Sequence, residues 1–277
     1  MTTHTADEAR AKAASTYNAA ADSYDGAANT FWDRFGRRTV ARLDLRPGAR
    51  VLDVCCGSGA SAIPAAEKVG SNGSVIGVDL AEKLLERARV KARHRGLHNV
   101  EFRVGDILTL AFPAAHFDAV VCVFGIFFVP DMPEAVRGLW RLVRPGGQLA
   151  ITTWGPRFFE PASGAFWNAV GKVRPELVKG FNPWDRITDA TGLRVLLPDT
   201  NVERLDVVAE EGRHPVRSPE DWWTMVLGTG YRGTIEQLDT DEQWRVRRDS
   251  LAFIREAGID SVEANVVYAV VSKALSS

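Results

Sequence analysis

Residues 51–59, VLDVCCGSG, join a short apolar run to a turn that contains two glycines. The VLDV run is typical of a β-strand. Gly57 and Gly59 let the main chain approach a bound molecule more closely than any side chain would allow. Residues 60–69, which are typical of a helix, come next. The stretch therefore predicts a strand, a turn and a helix, with room for a ligand at the turn.

The same alternation of apolar runs and amphipathic stretches extends from residue 50 to residue 154. It predicts further strands at residues 74–78, 100–104, 117–123 and 148–153, and helices at residues 81–95 and from residue 133. Later in the chain, strands are predicted at 202–208 and 264–271, and helices at 219–227 and 241–256. Alternating strands and helices with short connections predict an α/β fold whose parallel sheet is covered by helices on both faces.

Two long segments are not needed to complete this sheet. Residues 155–185 are rich in proline, glycine and aromatic side chains, and residues 214–260 are mostly helical in pattern. Connections of this length are usually functional, so we expect both segments to form a lid over the substrate pocket. The predicted organisation is a single domain over residues 1–277, with an N-terminal helical cap (1–45), a ligand-binding core (46–154) and these two lid segments.

The composition argues against a polyanionic partner and a membrane span. The 277 residues have a formal net charge of −1, with 45% apolar and 25% charged residues. So small a charge gives no field that would gather nucleic acid or a membrane surface. The longest apolar run, residues 119–129, is shorter than the about 20 residues that span a bilayer. We expect a small-molecule ligand, no nucleic acid and no membrane insertion, and the sequence carries no signal for the oligomeric state.

The cysteines and the N-terminus predict the redox compartment. Residues 1–15 are polar and lack the apolar core of a signal peptide. The three cysteines have no CxxC spacing, which favours neither a disulfide framework nor a zinc site. His94 and His98 are four residues apart, but Gly96 interrupts the helix between them, so no metal site is predicted. We expect a reduced, cytoplasmic protein.

Four elements follow the predicted strands at their carboxyl ends, where open α/β sheets bind ligands. The glycine turn follows the first strand, and Asp79 ends the second, where its carboxylate can accept both hydroxyls of a ribose. Asp106 and Ile107 follow the third strand and can meet the edge and the face of an adenine. Residues 124–128, FGIFF, form an apolar lip after the fourth. The cleft predicts a cofactor that contains a nucleoside.

Two cofactors fit the glycine turn considered alone. Residues 57–62 match the G-x-G-x-x-A fingerprint of dinucleotide-binding proteins, and Asp79 lies near the expected offset of about 20 residues. The chain has no Tyr-x-x-x-Lys pair for hydride chemistry and no second cofactor-binding half after the fifth strand. The Asp106 element and the closing pair of strands favour S-adenosylmethionine (SAM) over a nicotinamide cofactor, which is retained as the less favoured alternative.

Residues 50–154 resemble a class I SAM-dependent methyltransferase, and within that class they are similar to the ubiquinone/menaquinone C-methyltransferase group. The motifs that carry the resemblance are VLDVCCGSG at 51–59, GVD at 77–79, GD at 105–106, FD at 117–118, VPD at 129–131 and RPGG at 144–147. The resemblance implies a Rossmann-like, seven-stranded, mainly parallel sheet. Its last strand is antiparallel and inserted between the fifth and the sixth.

The expected cofactor site combines the cleft with the N-terminal segment, which closes over the methionine end of SAM in similar enzymes. Aromatic faces there would attract the positively charged sulfonium. The expected residues are Asp53, Cys55, Gly57, Gly59, Asp79, Leu80, Asp106, Ile107, Phe124, Tyr17 and Tyr24. Many relatives have Gly at position 55, where Cys is small enough to fit. Asp53 is expected chiefly to hold the glycine turn through hydrogen bonds to the backbone, without contact to the ligand.

The resemblance implies methyl transfer to a small molecule, with O-, N- and C-methylation all open. The predicted lid is aromatic, which favours a flat or hydrophobic acceptor, although a helical cap also needs large side chains for its own core. Its aromatic residues are Phe158, Phe159, Trp167, Trp184, Trp222, Trp223 and Tyr231. The C-terminal third differs from the quinone enzymes, so a quinone acceptor does not follow from the resemblance.

A general base is one open point of the predicted chemistry. A hydroxyl or enol acceptor would require a base with a pKa near neutrality, and His214, after the sixth strand, is the candidate. The alternative for His214 is an exposed residue in a turn. A SAM-binding protein that transfers no methyl group, such as a cyclase, would carry the same cofactor residues and is the second hypothesis for function.

Overall fold

The computed structural model of the chain describes residues 6–275. Its strands are β1 (Arg50–Val54), β2 (Ser74–Asp79), β3 (Val100–Val104), β4 (Phe117–Val123), β5 (Val143–Trp154), β6 (Val202–Glu210), β7 (Arg213–Pro215), β8 (Ser261–Glu263) and β9 (Val266–Lys273). Its helices are α1 (Ala6–Tyr24), α2 (Phe31–Ala41), α3 (Ala62–Val69), α4 (Glu82–His94), α5 (Met132–Leu142), α6 (Ala162–Val173), α7 (Ala190–Leu196), α8 (Pro219–Leu227), α9 (Arg232–Ile235) and α10 (Thr240–Glu256). Within the described range, no helix is long and apolar enough to cross a membrane.

Seven of these strands form one sheet in the order β3-β2-β1-β4-β5-β9-β6. The pairs from β3 to β5 are parallel, and β9 is antiparallel to both β5 and β6. The predicted Rossmann-like topology is therefore confirmed, including the antiparallel last strand between the fifth and the sixth.

Both faces of the central strands are buried, as expected for a parallel sheet with helices on each side. Successive residues point to opposite faces, so Val51 and Val121 belong to one apolar cluster while Leu52 and Val120 belong to the other. Helices α3 and α4 cover the first face, and α5 and the aromatic C-terminal segments cover the second. The core fixes the strand ends that carry the candidate site.

The strand β5 begins at Val143, five residues earlier than the prediction of 148–153. The RPGG motif lies at a register shift in the pairing of β4 with β5, between Phe117 and Ala119. Asp118 stabilises this irregularity, because it accepts hydrogen bonds from Arg144 Nε at 2.7 Å and from the Arg50 N–H at 2.8 Å. The motifs at 117–118 and 144–147 are therefore structural and lie away from the candidate site.

The two predicted lid segments pack on each other beside the sheet. Helix α6 from the first segment contacts α10 from the second, and α8 packs on α10 as well. The short antiparallel pair of β7 and β8 closes the base of this layer and was not predicted, because three-residue strands are too short to show a period. The layer stands over the carboxyl ends of the sheet strands, where the candidate site lies.

Candidate active site

Two adjoining cavities open at the carboxyl ends of the parallel strands. The first, which we call the cofactor cavity, contains about 800 Å³ of empty space when the solvent at its mouth is included. The expected residues that line it are Tyr17, Tyr24, Cys55, Gly57, Asp79, Leu80, Asp106, Ile107 and Phe124. Asp53 and Gly59 do not line it: Asp53 lies behind the glycine turn, and Gly59, within the turn, faces Ile63 and Phe102. The strand ends thus bring together most of the set predicted from sequence, as expected at this edge of an open α/β sheet.

Asp79 is held in place by the main chain of the loops around it. The Gly57 N–H donates to Asp79 Oδ2 and the Ala81 N–H donates to Oδ1, each at 2.8 Å. Burial raises the pKa of Asp79, while these N–H bonds oppose that effect. Each carboxylate oxygen keeps a second lone pair, so the group can still accept a hydroxyl proton from a ligand.

Gly57 leaves space that a side chain would fill. It has φ +52°, and a β-carbon built on it would lie 2.9 Å from Tyr24 Oη. The left-handed conformation and this close approach both favour glycine. The main chain at the turn is therefore bare toward the cavity, which suits a ligand that lies against it.

Asp106 closes the far end of the cofactor cavity. It is 9% exposed, and its Oδ1 accepts the Leu108 N–H at 2.9 Å. Its Oδ2 is paired with Arg10 Nη1 at 2.5 Å, and Arg10 itself lines the cavity from α1. Arg10 was not among the predicted residues, because the spacing of side chains along α1 does not indicate which side of the sheet the helix crosses.

Aromatic rings form the wall at the other end of the cofactor cavity. Tyr24 stacks on Trp32 with centroids 4.9 Å apart, and Phe124 stacks on Trp154 at 3.9 Å. Tyr17 meets Tyr24 edge-to-face at 6.2 Å. The indole Nε1 of Trp32 is buried and has no hydrogen-bond partner among the described residues.

These features fit SAM. Two carboxylates and a bare main chain suit the adenosine, and the apolar side chains of Leu80 and Ile107 suit the adenine face. The aromatic wall suits a sulfonium through cation–π attraction. The unpartnered Trp32 Nε1 provides a donor that a bound molecule could satisfy.

Cys55 supplies the conformation that glycine would supply at its position. Its φ is +57°, in the left-handed region that side chains seldom adopt. A β-carbon built on Gly125 would lie 2.7 Å from Cys55 Sγ and 3.2 Å from Cys122 Sγ, so the two sulfurs pack against the same point. The contact with Cys122 and burial raise the pKa of the Cys55 thiol, which keeps it neutral. Cys55 is therefore a small wall residue without the thiolate that nucleophilic attack requires.

Asp53 lies behind the glycine turn, and its hydrogen bond goes to the Ser61 side chain at the start of α3, where a bond to the main chain of the turn was predicted. Its side chain is fully buried, and Oδ2 accepts the Ser61 hydroxyl at 2.7 Å at the start of α3. Burial is the main cause that raises the pKa of Asp53 from 3.8 to about 7. The folded protein therefore holds a proton on Asp53 at pH values where the unfolded chain releases it.

This titration predicts a pH-dependent effect of Asp53→Asn. Between the unfolded pKa and about pH 7, raising the pH removes a proton from the unfolded state only, which destabilises the native fold. Because Asn has no such titration, we expect the variant to gain roughly 2 kcal/mol relative to wild type between about pH 5 and about pH 7.5. Urea unfolding at both pH values, with the exposed Asp206→Asn as control, measures this. An unchanged difference between variant and wild type would contradict it.

The second cavity, which we call the acceptor cavity, contains about 1240 Å³ of empty space when the solvent at its mouth is included. It adjoins the cofactor cavity, and the residues common to both walls are Ala13, Tyr17, Trp32, Phe124 and Phe128. Four of the predicted lid aromatics, Phe158, Trp167, Trp184 and Tyr231, line it together with Phe127 and Trp154. In contrast, Phe159 and Trp222 are fully buried in the core of the layer that the two lid segments form. This is the alternative role given above, in which a helical cap needs large side chains for its own core.

His214 lies outside both cavities. Its ring is 2% exposed, with Nε2 2.7 Å from the Ala28 carbonyl oxygen and an edge-to-face contact with Phe31 at 5.0 Å. Burial lowers the pKa of His214, which favours the neutral form. The interpretation as an exposed turn residue was wrong, because β7 carries the ring under α2. The geometry gives His214 a packing role and no reach toward the expected acceptor.

No group of three or more His, Cys, Asp or Glu side chains that could hold a metal ion occurs in residues 6–275. His94 and His98, the pair with a spacing of four residues, lie at the end of α4 and in the loop after it. The candidate site is thus built from carboxylates, main-chain groups and aromatic rings.

Sequence comparison gives this geometry a family context. The profile of a family described as "Methyltransferase domain" matches residues 51–147. Nocamycin O-methyltransferase of Saccharothrix syringae is 39% identical over 169 residues, which cover 58% of this chain and 59% of that protein. Aklanonic acid methyltransferase DauC of Streptomyces sp. strain C5 is 36% identical over 180 residues, which cover 61% and 82%.

The match to the menaquinone group is shorter than these two. Demethylmenaquinone methyltransferase of Listeria welshimeri is 39% identical over 117 residues, which cover 42% of this chain and 50% of that protein. The chain thus spans little more than half the length of this relative and of the nocamycin enzyme. Among solved structures, the [4+2]-cyclase SpnF superposes with a TM-score of 0.55 at 21% identity, over 88% of this chain and 81% of that one. At this identity the likeness concerns the fold alone.

Proposed function

Because the chain belongs to the class I SAM-dependent methyltransferases, we propose that it transfers a methyl group from SAM to a small, aromatic or otherwise hydrophobic acceptor. The observation that carries the proposal is the contact between the two cavities. Tyr17, Trp32 and Phe124 belong to both walls, so a ligand in one cavity would meet a ligand in the other across them.

The residues would act mainly by positioning and by excluding water. SAM supplies an electrophilic methyl group on a sulfonium, and in-line transfer needs an aligned and dry pair of reactants. Asp79 and Asp106 would fix the nucleoside, while the stacked rings of Phe124 and Trp154 would help to exclude water beside the junction. The hydroxyl of Tyr17 keeps its proton, because burial raises its pKa far above neutrality. Tyr17 would therefore shape the junction without acting as a base.

The names of two relatives bear on which atom of the acceptor receives the methyl group. The name of the nocamycin relative specifies O-methylation, and that of the DauC relative specifies an acid as substrate. These names favour oxygen over nitrogen or carbon in the proposal. The cap at 1–45 and the lid segments 155–185 and 214–260 are proposed to enclose the acceptor. A cytoplasmic location and the lack of a nucleic acid partner remain proposals that rest on the free cysteines and the near-zero charge.

Titration with S-adenosylhomocysteine (SAH), followed by a transfer assay, tests this function. We expect SAH to bind with a micromolar or smaller dissociation constant, measured by calorimetry, and NAD to give no heat. SAM labelled in its methyl group, incubated with the enzyme and an extract of small metabolites, should give a labelled product by mass spectrometry. SAH binding without any labelled product from a broad acceptor panel would favour the non-methylating alternative. Binding of NAD alone would overturn the proposal.

A further inference from the structure

Two lysines from distant parts of the chain line the acceptor cavity. Lys12 lies on α1, and Lys179 follows the end of α6. Both side chains are largely exposed and lie at the open end of a cavity whose interior is mostly aromatic. Glu8, one helical turn before Lys12, lines the same cavity. The open end therefore carries two cations and one anion over an apolar interior.

Lys179 contacts an aromatic ring of the acceptor cavity. Among the described residues, the lysines in ion pairs are Lys91 and Lys172. Lys179 Nζ lies instead 5.7 Å from the ring centroid of Trp167, within the range of a cation–π contact. Although Lys179 keeps contact with solvent, desolvation by the surrounding cavity wall and the nearby charge of Lys12 lower the pKa of Lys179, and the two like charges repel each other. An anion bound between them would relieve that repulsion.

The position of Lys12 on α1 separates this anion from the site of methyl transfer. Tyr17, at the junction of the cavities, is five residues further along the same helix. Five residues span about 7.5 Å of helix axis. A group held by Lys12 and Lys179 would therefore lie about 7.5 Å along the helix axis from Tyr17, and it would anchor the acceptor while a different atom meets the methyl group.

We propose that the acceptor carries a carboxylate, which Lys12 and Lys179 bind at the open end of the acceptor cavity while its ring system lies among Phe124, Trp154 and Phe158. This inference rests on the proposed function and narrows its substrate class to aromatic or polyunsaturated acids. Aromatic side chains provide the apolar contact, and two ammonium groups provide charge-assisted hydrogen bonds. Glu8 stays near and would disfavour a dianion.

Matched aromatic probes test the proposal without turnover. Naphthalene-2-carboxylate and the neutral naphthalene-2-carboxamide are titrated into the SAH complex and followed by tryptophan fluorescence. We expect the carboxylate to bind about five- to tenfold more tightly, with a preference that weakens as salt is added. The double variant Lys12→Gln/Lys179→Gln should lose this preference and keep its affinity for the amide. The charge-retaining Lys12→Arg/Lys179→Arg and the remote Lys172→Gln should keep the preference.

The outcomes separate this inference from the proposed function. Equal binding of both probes to wild type, or a preference that survives in the double Gln variant, would overturn the carboxylate anchor and leave methyl transfer to a neutral acceptor standing. Failure of both probes to bind the SAH complex would contradict the assignment of this cavity as the binding site of an aromatic acceptor. Failure of SAH to bind would count against the proposed function.

Discussion

Replacing Asp79 with alanine is expected to weaken SAH binding about 100-fold or more, because the change removes two interactions at once. The carboxylate is the group expected to accept the ribose hydroxyls. It also accepts the N–H groups of Gly57 and Ala81, so it fixes the glycine turn against which the cofactor would lie. Without it, the buried N–H of Gly57 loses its acceptor and the turn loses its anchor. Calorimetric titration with SAH measures the loss.

Two further variants separate the charge of Asp79 from its position. Asp79→Asn keeps the size of the side chain but can accept through one oxygen only, so we expect a smaller loss of about tenfold. Asp206→Ala removes an exposed carboxylate on β6, far from the cavity, and should bind SAH like wild type. Circular dichroism of all three variants checks that the fold is intact. SAH binding by a folded Asp79→Ala variant at wild-type strength would refute the assignment of the cofactor cavity.

The strand ends could be predicted from sequence because each depends on local pattern. Buried parallel strands are apolar on both faces, so β1 and β4 stand out as continuous runs, and the first polar residue after such a run lies at the sheet edge. Asp79, at the end of β2, follows this pattern, and Asp106 comes two residues after the end of β3. β3 was found although its residues alternate, because Val100, Phe102 and Val104 keep a period of two.

The rest of the site depends on contacts between distant segments, which a single sequence does not encode in any spacing. Arg10 reaches Asp106 across 96 residues of chain, and Lys179 lines the same cavity as Lys12 only because the segment after α6 folds back toward α1. His214 was misjudged for the same reason, since its burial is produced by Phe31 on α2. Local pattern thus located the cofactor residues, while the acceptor cavity required the tertiary structure.

One tertiary contact between helix α2 and the glycine turn predicts a large loss of stability in Gly36→Ala. A β-carbon built on Gly36 would overlap the carbonyl group of Ala60 and lie 2.9 Å from the Ser61 nitrogen. These are main-chain atoms of the turn and cannot rotate away, so α2 must move. We expect a loss of roughly 2–3 kcal/mol in the free energy of unfolding and a melting temperature lower by about 5 °C or more.

Gly138 provides the matched control, since it is also a helical glycine but lies on the exposed face of α5 with no atom within 4 Å of an added β-carbon. Gly138→Ala should stabilise the protein by up to about 1 kcal/mol, because alanine has the higher helix propensity. Thermal melts of the two variants should therefore shift in opposite directions, and shifts of the same sign would argue against close packing at Gly36. Because α2 also carries Trp32 of the aromatic wall, displacement of the helix should weaken SAH binding in Gly36→Ala alone. The contact between Gly36 and the turn would then stabilise both the fold and the position of the aromatic wall of the cofactor cavity.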